Sequence, residues 1–166
     1  MTELSRFAAL DVGEYQASTA LELAVPDARG DLRRLKDFHG HNVVVYFYPK
    51  DDTPGCTVEG KEFRDSFEQF NGLDCVIVGV STDSPERHRA FIEKHALPFI
   101  LLADEDGKLA SAFGVLNGKY AARSTFVLDT DLRVRRAFHE VTPRGHAAQV
   151  LNFMRTLVES HRMIGG

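Results

Sequence analysis

From Val43 to Tyr48 the chain reads VVVYFY, a β-branched and aromatic run with no polar position in it. A run of this kind predicts a strand covered on both faces. CVIVGVS (75–81) and STFVLDT (124–130) predict two more, and FILLA (99–103) a shorter one. VRRAF (134–138) alternates as an edge or half-exposed strand does. Residues 1–40 alternate only weakly and read as short strands and turns, ending at the turn signal His39-Gly40.

Helices begin legibly between these runs. Ser84-Pro85-Glu86 sets a hydroxyl cap before a proline at the first helical position, and Thr142-Pro143 repeats the device ahead of a helix over about 144–160. In that last helix Val150, Met154, Leu157 and Val158 share a face. Thr53-Pro54-Gly55-Cys56 opens a third helix, where Cys56, Gly60, Phe63, Phe67 and Phe70 fall at offsets 0, 4, 7, 11 and 14, a single stripe. Buried strands alternating with helices predict an α/β layered domain. A reactive group that ends a strand and opens the next helix stands where such sheets place their sites. With no internal repeat and no Pro/Ser-rich linker, residues 1–166 read as one domain, with 162–166 as a flexible tail.

Composition changes this picture mainly by exclusion. The 166 residues hold 20 Lys plus Arg against 24 Asp plus Glu, a net charge of −4 with no long basic block. That argues against nucleic acid or an anionic membrane as the main partner. The longest solid apolar run is too short to span a bilayer. The opening MTELSRFAAL carries Glu3 and lacks the apolar core of a signal peptide. Two cysteines, Cys56 and Cys75, make no disulfide framework and fit a reducing compartment, so the expected location is the cytoplasm.

The candidate chemistry centres on Cys56. A thiol attacks as its thiolate, and the first turn of a helix, with unpaired N–H groups and partial positive charge, favours that anion. Pro54 has no N–H, Gly55 lets the backbone approach, and Thr53 adds a hydroxyl. Glu59, one turn on, is suited to hold an arginine by a bidentate pair, and Arg123, entering the 124–130 strand, is the candidate arginine. Cys56 alone would read as a small buried hydrophobe, and Cys75, at the start of a buried strand, keeps that reading. Thr53 as a helix cap and Glu59 as a helix-dipole charge are the plain alternatives. Of the seven histidines, His39 and His41 flank a turn glycine, and His88 and His95 are expected on a helix face toward water. None repeats a ligand spacing, so no metal is expected.

These residues carry a resemblance. Pro49-Lys50-Asp51-Asp52-Thr53-Pro54-Gly55-Cys56 resembles the P-x-x-x-T-x-x-C signature of peroxiredoxins, and FYPKDDTPGCT (47–57) resembles the bacterioferritin-comigratory, or PrxQ-type, subfamily. The likeness extends through Lys36 to Gly40, GVSTDSPERHRAF (79–91), LLADEDGKLASAFGV (101–115), RSTFVLD (123–129) and RGHAAQVL (144–151). It implies a thioredoxin-like fold, a central mixed β-sheet flanked by helices, and thiol-dependent reduction of hydrogen peroxide and organic hydroperoxides without a cofactor. By position it implies Cys56 as the peroxidatic cysteine, Thr53 and Arg123 as peroxide-binding and sulfur-activating, Pro49 as a shield of the thiolate, and Glu59 as the group orienting the arginine. The product would be a Cys56 sulfenic acid.

Many relatives carry a resolving cysteine five residues after the peroxidatic one, where this chain has Lys61. Gln16-Ala17-Ser18 also replaces the usual Pro-Asp-Phe stretch. The expectation is a one-cysteine cycle, with thioredoxin, glutaredoxin or a small thiol as external reductant, in a monomer or weak homodimer. A non-enzymatic peroxide sensor passing oxidation to a partner is the alternative. A thiol–disulfide oxidoreductase would want a second cysteine where Glu59 stands. A cysteine hydrolase would need a histidine base that no pattern supplies.

Overall fold

The computed structural model describes residues 18–165, so the readings made on residues 1–17, including Gln16 and Ala17, fall outside the described residues. The core runs become strands: β3 (Asn42–Phe47), β4 (Cys75–Ser81), β5 (Ile100–Ala103), β8 (Ser124–Leu128) and β9 (Val134–Phe138). They form one mixed sheet in the order β5-β4-β3-β8-β9. β3, β4 and β5 run parallel, whereas β8 pairs antiparallel with β3 and β9 antiparallel with β8. β4, β3 and β8 are interior, apolar β5 is one edge and alternating VRRAF the other. Two short antiparallel pairs, β1 (Val25–Pro26) with β2 (Leu32–Arg33) and β6 (Leu116–Asn117) with β7 (Tyr120–Ala121), complete the strands among the described residues.

Because side chains alternate along a strand, β3 feeds two cores. Val43, Val45 and Phe47 join Leu35, Phe38, Leu109, Phe113 and Phe126 on one face. Val44, Tyr46 and, just past the strand, Tyr48 join Cys56, Phe63, Phe70, Phe91, Val150 and Met154 on the other. The second face is roofed by helices α2 (Pro54–Asp65), α3 (Phe67–Gly72), α4 (Pro85–His95) and α6 (His146–Gly165). No helix among the described residues is long and apolar enough to cross a membrane.

Three expectations need correction. Residues 18–40 are not only strands and turns: α1 (Ser18–Glu22) and a 3-10 turn (Leu35–Phe38) lie there. The phenylalanine stripe is cut at Ser66, so Phe70 belongs to α3 and Phe67 is only half-buried. Thr142-Pro143 does not open the last helix, which starts at His146 after Gly145 turns the chain at φ +84°. That helix runs through Gly165. α5 (Lys108–Ala112) starts where the buried Asp104 carboxylate accepts from the Leu109 and Ala110 N–H groups.

Candidate active site

Thr53 is the cap residue of α2 in extended conformation, and Pro54 takes the first helical position. The first intrahelical bond runs from the Thr57 N–H to the Thr53 carbonyl at 2.9 Å. Helix geometry therefore leaves the Gly55 and Cys56 N–H groups without an intrahelical acceptor. The Thr53 hydroxyl makes no cap bond. It donates to the Lys50 carbonyl at 3.2 Å, so what it offers a ligand is an acceptor. Cys56 follows at the foot of the helix, only 2% exposed.

The arginine fork reaches this sulfur. Arg123 precedes β8, and its backbone carbonyl is held by the Val141 N–H at 3.1 Å. Its Nη2 donates to the Cys56 Sγ at 3.3 Å, and its Nη1 to the Glu59 Oε1 at 2.7 Å. Burial works against the Arg123 charge, but the Cys56 sulfur and the Glu59 carboxylate outweigh it and hold the guanidinium above its ordinary value. Glu59 is fully buried, and burial pushes its carboxyl up to about 7 against the pull of Arg123. Its second oxygen has no partner among the described residues. Tyr46, fully buried, also has an unpartnered hydroxyl, whose ionisation is disfavoured first by burial and then by Glu59 and Cys56.

The structure thus brings Cys56, Arg123 and Glu59 into direct contact and sets Thr53 three residues ahead in the same turn. Pro49, half-buried, opens the loop between β3 and α2. Gly55 earns its place by closeness: a Cβ there would stand 3.1 Å from the Arg123 Nη2 and 3.3 Å from the Pro143 Cγ. Pro143, read as a helix opener, therefore packs against the site instead. Cys75 is distant from all this, at the opening of β4 beside Asn42, with its thiol pushed well up by burial and by Asp74.

Other site-adjacent residues escaped the sequence reading. His88 does not face water. It is fully buried, with Nδ1 2.6 Å from Asp51 Oδ2 and Nε2 2.9 Å from the Leu102 carbonyl. His95 is half-buried, its Nε2 3.6 Å from Asp52. Asp51, Asp83 and His88 have the residue types and closeness of a metal set, but their atoms are already engaged with one another and with Tyr48, Ser81 and Arg87. The available signals were Asp51 inside the signature and Tyr46 and Tyr48 alternating on the Cys56 face.

The chain is similar to known proteins over most of its length. The family model for the AhpC/TSA family matches residues 17–137. Peroxiredoxin Bcp of Bacillus subtilis is 43% identical over 148 residues, covering 84% of this chain and 94% of that protein. A putative peroxiredoxin bcp of Helicobacter pylori is 45% identical over 150 residues, covering 86% and 96%. Among solved structures, Xanthomonas campestris Peroxiredoxin Q superposes with a TM-score of 0.84 at 35% identity, covering 89% of this chain and 99% of that one. A structure of the Xanthomonas campestris bacterioferritin comigratory protein, concerned with its alkyl peroxide reduction activity, gives a TM-score of 0.84 at 34% identity with the same coverage.

Proposed function

The chain belongs to the AhpC/TSA family, as a peroxiredoxin of the Bcp/PrxQ type with the thioredoxin-like fold, and from that premise we propose that it reduces hydrogen peroxide and organic hydroperoxides through Cys56 in a one-cysteine cycle. The observation that carries this reading is the Arg123 fork, which touches the Cys56 sulfur with one arm and Glu59 with the other. The thiolate attacks one peroxide oxygen and the O–O bond breaks. Cys56 keeps the attacked oxygen with its proton as the sulfenic acid, and the other oxygen departs as an alkoxide or hydroxide that takes up a proton from water. Arg123 and the free N–H groups of Gly55 and Cys56 are the donors for that developing charge. Thr53 accepts the peroxide O–H, Glu59 orients the arginine, and Pro49 screens the sulfur from bulk water.

An external thiol then displaces water from the sulfenic acid, and a second thiol releases Cys56 from the mixed disulfide. Thioredoxin, glutaredoxin or a small thiol in a reducing, cytoplasmic setting supplies these equivalents. The test is peroxide consumption with excess thiol. Cys56→Ser should lose it entirely while keeping the wild-type circular dichroism. Retention of even a tenth of the activity would sink the assignment.

A further inference from the structure

The loop that carries Pro49 and Thr53 is anchored from below by a buried polar cluster. Asp51, 3% exposed, accepts from the Tyr48 hydroxyl at 2.6 Å through Oδ1 and meets His88 Nδ1 at 2.6 Å through Oδ2. The Asp51 N–H donates to Asp83 Oδ2 at 2.8 Å, which also accepts from the Ser81 hydroxyl at 2.6 Å. Arg87 closes the outer side on Asp83 Oδ1 at 2.9 Å. His88, like Ser81, has no exposed surface, and it stands 37 residues from Asp51 on α4.

Proton accounting fixes what His88 does. The Leu102 carbonyl can only accept, so Nε2 carries a hydrogen. Nδ1 then faces Asp51 Oδ2, and whichever atom holds the proton between them, the pair is joined by one short bond. The imidazole is thereby a fixed strut from the β5 backbone to the middle of the loop. Next along that loop, Asp52 sits at φ +63°, a conformation a non-glycine residue adopts only when its surroundings hold it. Outside the strut, Lys94 on the same helix reaches both Asp52 oxygens at 3.1 Å, but from an exposed position where such a pair counts for little.

We propose that His88 is a positioning residue of the peroxidase site: by gripping Asp51 it sets the loop that presents Thr53 and Pro49 to peroxide, without taking part in activating the Cys56 sulfur. The inference rests on the peroxidase reading above. It separates two properties a merely structural residue would change together. Attack on peroxide needs the loop in place, whereas alkylation of Cys56 by iodoacetamide needs only the thiolate beside Arg123.

The experiment compares these two rates at Cys56 in the whole protein, peroxide oxidation by competition with a haem peroxidase and alkylation by peptide mass. His88→Gln keeps a donor near Nε2 and loses the one toward Asp51. It should slow peroxide oxidation at least tenfold while alkylation stays within about threefold. His88→Asn keeps the donor toward Asp51 and should recover most of the oxidation rate. Should the His88 variants fail to fold, Asp51→Ala removes the same tie from the loop side and should show the same split. An unchanged ratio of the two rates in His88→Gln or Asp51→Ala overturns the proposal, as does His88→Asn being as slow as His88→Gln. A wild-type protein whose Cys56 peroxide does not oxidise would instead sink the underlying peroxidase reading.

Discussion

Arg123 divides its fork between a sulfur and a carboxylate, and magnitudes say what its proposed role at the sulfur must supply. An ordinary thiol near pKa 8.5 is only about 3% ionised at pH 7, so full ionisation gains about thirtyfold. Lowering the pKa by about 2.5 units also weakens the nucleophile about tenfold, leaving a net gain of about threefold. Donors aimed at the breaking bond are worth far more, so Arg123→Ala should slow Cys56 oxidation about a hundredfold or more in rapid-mixing measurements. Arg123→Lys should rescue only partly, because an ammonium has no planar fork. An unchanged oxidation rate would mean that another group stabilises the leaving oxygen. Glu59 makes a separate, pH-dependent prediction. Burial raises its carboxyl from 4.5 to about 7, so between those values the folded protein holds a proton that the unfolded chain has released. Stability from this group is therefore full below about pH 4.5 and declines as pH rises to 7, by on the order of 3 kcal/mol. Denaturant midpoints of the wild type should fall across this window relative to Glu59→Gln. Parallel profiles would show that Glu59 titrates normally.

Helix α2 joins the sheet to the site, and its two internal glycines do opposite jobs. Gly60 has its nearest would-be neighbours, Leu97 and Phe91, at 3.8 Å, an ordinary contact. Gly60→Ala should therefore gain about 0.5–1 kcal/mol in denaturant titration, from lower unfolded-chain entropy and better helix propensity. Gly55→Ala, whose Cβ would meet Arg123 at 3.1 Å, should instead slow peroxide oxidation at least tenfold. If Gly55→Ala kept its oxidation rate, the guanidinium would have room to move and still work. The start of α2 was legible because Thr-Pro-Gly-Cys is a local signal, a cap residue followed by proline at the first position. Its end was not, because the phenylalanine spacing continues across Ser66 as though the helix were unbroken. Thr142-Pro143 misled for a related reason: the same two residue types serve a loop that packs on Gly55. His88 was misread because Arg87 and Arg89 beside it give the helix a charged look, while its real partners lie 37 and 14 residues away.

Four strands of the main sheet were readable because burial leaves them mostly apolar, and β9 because it alternates, yet their order was not, since pairing is decided by segments far apart in sequence. That order bears on the proposed one-cysteine cycle. β3 and β4 run parallel, with Asn42 opposite Cys75 at one end and Phe47 opposite Val80 at the other. Ser124, next to Arg123, also pairs with Phe47, so the Cys56 site lies at the Val80 end. Five residues at about 3.3 Å each put Cys75 about 16 Å down the strand from that end. A disulfide needs Cα atoms within about 7 Å, and both thiols are rooted in the same packed core with Phe63 and Phe70. Joining them would require α2 to unwind and much of this core to open. Cys75→Ser should therefore keep nearly full turnover with an external thiol. Mild peroxide should yield no Cys56–Cys75 linked peptide, and strong peroxide should carry Cys56 on to the sulfinic acid, since no internal thiol intercepts it. A linked peptide after mild oxidation, together with lost turnover in Cys75→Ser, would show that the core opens far more readily than its packing allows and would make this a two-cysteine enzyme.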